Sequence, residues 1–136
     1  LMAGESTIVA TQYPDVFGYI TTVFMEEDLT TALGPHFIFV ADRDMVIDNA
    51  TVISPQTDAN ANLNIRVCDS AEAIGSGEIV GTNVTGITAN TAHTFTIDET
   101  KNLVTAGQAI AFNFGDPSTN AINSVTITIR YRTRIK

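Results

Sequence analysis

Residues 122–136, INSVTITIRYRTRIK, place Val125, Ile127, Ile129 and Tyr131 on one parity and Thr126, Thr128, Arg130 and Arg132 on the other. Period two is the side-chain repeat of an extended strand, whose successive Cβ atoms point to opposite faces; wound into a helix, the same order would smear the apolar residues around the axis. The segment is expected to be a strand with one apolar face and one face of threonine followed by arginine. Such a strand is stable only when its apolar face is covered, so the chain must supply further strands and a second layer.

It does. Ala61, Leu63, Ile65 and Val67 alternate with Asn62, Asn64, Arg66 and Cys68, which reads as a second half-buried strand. Weaker segments of the same type span 19–25, 37–41, 45–53, 78–84, 93–97 and 109–114, making about eight strands. Gly34-Pro35, Ser54-Pro55, Gly75-Ser76-Gly77, Gly86, Ala106-Gly107 and Gly115-Asp116-Pro117-Ser118 separate them with turn chemistry. Helix signals are confined to two short stretches, 28–33 and 70–74, each too short to be more than a loop feature. The expectation is all-β: a single-domain antiparallel β-sandwich, jelly-roll-like, covering residues 18–136. Residues 1–17 form an N-terminal arm or a loosely packed first strand.

Charge narrows the function classes. Residues 1–129 hold 15 acids and three bases, and residues 130–136 hold four bases and no acid. An acidic body repels phosphate backbones, so no nucleic acid partner is expected. No apolar run reaches membrane-spanning length, no basic stretch leads into a hydrophobic block at the start, and neither membrane association nor a targeting address is expected. The lone Cys68 has no partner for an intramolecular bridge and reads as a small, partly buried apolar residue.

Catalytic and metal-ligating patterns are weak. His36 and His93 stand apart from each other, and His93 and Asp98 have opposite parity on a strand, so they do not form an acid–base pair. Asp58, Asn60, Asn62 and Asn64 alternate like the start of a calcium loop, and Asp42, Asp44 and Asp48 crowd together, but the sharp-turn glycine and the distal bidentate glutamate are missing. They read as polar residues of solvated strand faces and loops. No enzyme activity, cofactor or metal is expected.

The order of features from HFIFVADRDMVIDNATVI through LVTAGQAIAFNFGDPSTNAINSVTITIRYR, roughly residues 36–132, resembles small structural proteins of tailed bacteriophages. Gln108 follows the glycine of AGQ, where that group is expected to carry Asp. The resemblance implies a β-sandwich that decorates or cements a phage head, as a homotrimer bound to the major capsid protein. Its place would be the capsid surface of the virion, after assembly in the host cytoplasm. The alternative is a carbohydrate- or receptor-binding module of a fibre or spike, with Tyr13, Tyr19 and Tyr131 as candidate contacts. A cupin-type enzyme would need a histidine cluster that this sequence does not offer.

The candidate interface follows from the alternation itself. Arg130, Arg132 and Arg134 share one strand face about 7 Å apart and need something negative opposite. Either the strand is an edge that carries charge against aggregation, or the stripe meets acids of a neighbouring copy or a capsid. Glu26, Glu27 and Asp28 in MEEDL are the expected partners in a second copy.

Overall fold

The computed structural model describes residues 15–25, 33–114 and 122–134, with the side chains of 15–17 and 134 left aside. Ten strands form two antiparallel five-stranded sheets. In chain order they are β1 (Asp15–Met25), β2 (His36–Val40), β3 (Met45–Ile53), β4 (Asp58–Cys68), β5 (Glu78–Ile87), β6 (His93–Thr94), β7 (Thr96–Ile97), β8 (Leu103–Val104), β9 (Ala109–Phe114) and β10 (Ser124–Arg134). Sheet A runs β1-β10-β3-β6, with β8 also paired to β3, and sheet B runs β2-β9-β4-β5-β7.

The fold is thus the expected all-β sandwich. Among the described strands only the β4–β5 hairpin stays within one sheet; every other connection between them crosses to the opposite layer, which interleaves the strands in jelly-roll fashion. Crossing lets each strand bury its apolar parity against the facing sheet. Ile47, Ala50, Val52, Ile127 and Ile129 from sheet A meet Leu63, Ile65, Val80, Ile110 and Phe112 from sheet B, all fully buried.

Three local readings change. Segment 93–97 divides into β6 and β7 on different sheets, with Phe95 buried between them and its N–H bonded to Ala50 O at 2.9 Å. Gly86 is no break: β5 runs through it, and its φ of +78° marks an irregularity that glycine accommodates at low cost. In the stretch 70–74 only Ser70 and Ala71 form a turn, and a 3-10 turn begins at its end, at Ile74–Ser76. The other short helical expectation, 28–33, lies almost wholly outside the described residues.

β4 is also more enclosed than a half-buried strand. Asn64 and Cys68, on its polar parity, are fully buried. The loop after β4 folds back across that face, and Arg66 fastens it by donating to Asn64 Oδ1 (3.0 Å), Gly75 O (3.0 Å) and Gly77 O (2.8 Å). Gly77 allows the close approach, since a Cβ there would lie 2.5 Å from Cys68 Sγ.

Candidate assembly surface

The outer face of sheet A gathers the residues singled out by sequence. β10 is a central strand between β1 and β3, so its arginines do not protect an edge. Its register with β3 slips between Arg130 and Tyr131: Arg130 faces Asn49 and Tyr131 faces Ile47, leaving Asp48 as the extra residue of a β-bulge. The bulge aims the Asp48 carboxylate between two guanidinium groups. Arg130 Nη2 lies 2.5 Å from Asp48 Oδ2, and Arg132 Nε lies 3.8 Å from Oδ1.

Two members of the stripe therefore share an acid of their own chain. Arg134 ends β10 opposite Asp15 in the register, and Glu26, Glu27 and Asp28 lie outside the described residues. Asp48 was missed as a partner because sequence alternation shows which strand face a residue occupies, not where a strand 80 residues away will bulge.

Beyond the arginines the face carries threonines and apolar residues. Thr21 pairs with Thr128, Thr128 with Thr51 and Thr51 with Thr94, so one row of threonines crosses four strands. The Thr21 and Thr128 hydroxyls lie 3.4 Å apart. On β1 the outward parity carries Tyr19, Val23 and Met25, exposed at 68, 60 and 65%, and Ile53 of β3 is exposed on the same face. Tyr131 points inward: a Cβ on Gly18, its partner on β1, would come within 2.5 Å of the phenol oxygen. It is therefore not part of a sugar-binding outer face. Tyr13 lies outside the described residues.

Beside the charged cluster a groove of about 590 Å³ is lined by Asp44, Asp48, Glu99, Asn102, Leu103 and Arg132, among others. Protein donors occupy several of its polar groups. Ala106 N–H donates to Asp44 Oδ1 at 3.1 Å, and Asn102 Nδ2 donates to Ile47 O at 2.9 Å. Among the described residues no three His, Cys, Asp or Glu side chains converge as metal ligands.

The other polar residues noted in sequence hold loops and turns. Asp58 is buried rather than solvated and accepts from Asn60 N–H at 2.9 Å. Asp42 pairs with Arg43 at 3.1 Å, which holds its carboxyl below the usual range. His93 Nε2 accepts from Thr88 N–H at 3.1 Å, while Asp98 caps its own turn through Thr100 N–H and Oγ1 at 2.9 and 2.6 Å. Gln108 Nε2 donates to Asp69 Oδ1 at 2.8 Å, tying the loop before β9 to the one after β4.

No protein-family model matches the chain, and no curated protein matches it. Among solved structures it is similar to a chain of the cyanophage Pam1 capsid asymmetric unit, at 16% identity and a TM-score of 0.45, over 88% of this chain and 84% of that one. It is also similar to chains of infectious bursal disease virus. For the Gt strain the identity is 10% and the TM-score 0.38, over 91% of this chain and 38% of that one; for the Gx strain they are 12% and 0.32, over 90% and 37%.

Proposed function

We propose that the protein is a structural subunit of a virus particle, a decoration or cement protein that binds the outer surface of a phage head as a homo-oligomer, with the major capsid protein as its partner. The observation that carries this reading is the outer face of sheet A: a threonine row across four strands, exposed Tyr19, Val23, Met25 and Ile53, and a charged cluster of Arg130, Asp48 and Arg132. An exposed apolar patch rimmed by polar and charged groups suits contact with another protein. The jelly-roll strand order and the sequence resemblance to small phage structural proteins support the same reading. A three-fold oligomer and a place on the virion surface belong to the proposal, as does assembly in the host cytoplasm.

A receptor- or sugar-binding role is the second reading, favoured by exposed Tyr19 beside Arg130 in the register. The two separate in one experiment. Purified protein mixed with bare phage heads at low and high salt should co-sediment saturably, and changing Arg130, Arg132 and Arg134 together to Gln should make binding weaker and less salt-dependent. Equal binding of variant and parent at both salt concentrations removes the stripe from the interface. Failure of the parent to bind any head, together with retention on a glycan surface, favours the second reading.

A further inference from the structure

The two sides of the sandwich are finished differently. On one side the sheets end in β6, β7 and β8, strands of two residues each. On the other they end in β1, eleven residues long, and β2, five residues long, which meet through the stacked rings of Phe24 and His36 at 4.9 Å. Among the described residues β1 pairs only with β10, and β2 only with β9. Long edges usually carry lysine, proline, a bulge or an inward charge that blocks further pairing. β1 carries none of these: its eleven residues, DVFGYITTVFM, include one charge, Asp15 at the very start, and its register with β10 is unbroken.

We propose that β1 pairs antiparallel with β1 of a second copy of this chain about a two-fold axis through Thr21. The proposal takes from the previous section only that the protein associates with itself, and it holds whether or not the copies sit on a shell. The sequence is self-complementary in this register. Thr21 faces Thr21 of the second copy, and each Tyr19 faces a Val23, the threonine–threonine and aromatic–β-branched pairs that stabilise antiparallel ladders. Each residue from 17 to 25 then has a partner, and none of the nine is charged. In a chain of net charge −8, the paired span 17–25 brings no acid of its own into the contact, and the acids at Asp15 and at Glu26, Glu27 and Asp28 fall at its two ends.

Nine paired residues would form about eight to ten backbone hydrogen bonds. Sheet A would become continuous across both copies, and the threonine row would run through the axis. The exposed Phe37 and Val40 of neighbouring β2 lie on the same side of the sandwich and extend the apolar seam. The contact is isologous and holds two copies, so it is separate from any three-fold contact.

The test uses the full chain without any shell. Light scattering and native mass spectrometry should show self-association. Thr21→Lys and Thr21→Glu, each placing like charges opposite one another, should weaken it by at least about tenfold with unchanged far-ultraviolet dichroism, and an equimolar mixture of the two should restore it. If a lysine or glutamate at this position harms folding, Thr21→Cys decides the matter. Mild oxidation should then give a disulfide-linked dimer much faster than Thr94→Cys, on the opposite edge of the same row, because the pairing sets the two position-21 thiols face to face; Cys68 is buried in both variants and does not compete. A parent that is monomeric at every concentration, an unchanged mass for both charged variants, or equal cross-linking of the two cysteine variants overturns the pairing. Residues 1–14 covering the edge within one copy would produce the first of these outcomes.

Discussion

Asp48 lies between the guanidinium groups of Arg130 and Arg132. Its carboxylate offsets part of their charge from within the same chain, and it does so from a bulge. Asp48→Asn should destabilise the fold by about 1 kcal/mol, since these groups remain partly exposed, and the deficit should shrink in 1 M salt as repulsion between Arg130 and Arg132 is screened. Urea melts at two salt concentrations check this. Cys68 and Gly77 form a second test. Gly77→Ala should cost about 1–3 kcal/mol by overpacking against Sγ, and less in a Cys68→Ala background, although Val67 O at 3.0 Å keeps part of the penalty. Burial pushes the Cys68 thiol up, with Glu72 adding to the effect, Arg66 opposing it and Asp69 adding to it. A folded pKa raised above the unfolded one stabilises below the unfolded thiol's pKa, and that stability is lost as pH rises through the folded value. The parent should therefore lose more stability on the alkaline side than Cys68→Ala, and its thiol should react with Ellman's reagent at neutral pH only on unfolding. The parity of these side chains could be read from sequence. Their partners could not, because Arg66 meets Gly75 and Gly77 through a loop that folds back, and Asp48 is placed by a register slip.

At the scale of elements, alternation located eight strand segments and missed what divides or extends them. β6 and β7 share one continuous alternating segment, and only the crossing from sheet A to sheet B at Phe95 separates them. β8 has two residues, too few for any period. Gly86 reads as a turn in sequence, yet φ +78° serves an irregular strand here, so Gly86→Ala should be strained by about 1–2 kcal/mol and should bring a Cβ within 3.3 Å of Ala59 O. Position within the sheet sets the larger costs. Ile127→Ala, in the middle of central β10, should cost about 2–5 kcal/mol, whereas Ile53→Ala, an exposed residue on the outer face of β3, should stay within about 0.5 kcal/mol. Equal losses at the two sites, measured by chemical unfolding, would contradict the assignment of faces.

For the whole molecule, the two-layer architecture was legible because many short amphipathic strands have no other way to cover their apolar faces. Strand order was not: it depends on pairings such as β1 with β10, and alternation carries no information about which distant strand lies alongside. A topology this rich in distant pairings should fold on a millisecond-to-second scale, in one transition that is coincident by dichroism and by tyrosine fluorescence. Non-coincident transitions would show that the two sheets do not form one cooperative unit. The same pairing has a consequence during synthesis. β1 ends at Met25 and its partner β10 begins only at Ser124, so at about 5–20 residues per second β1 waits roughly 5–20 s for the strand that completes it. For that interval both its margins are open, and its uncharged stretch from 16 to 25 is a ready template for the same strand on a neighbouring nascent chain. Translation speed and chaperone supply would then decide how much of the product reaches the sandwich at all.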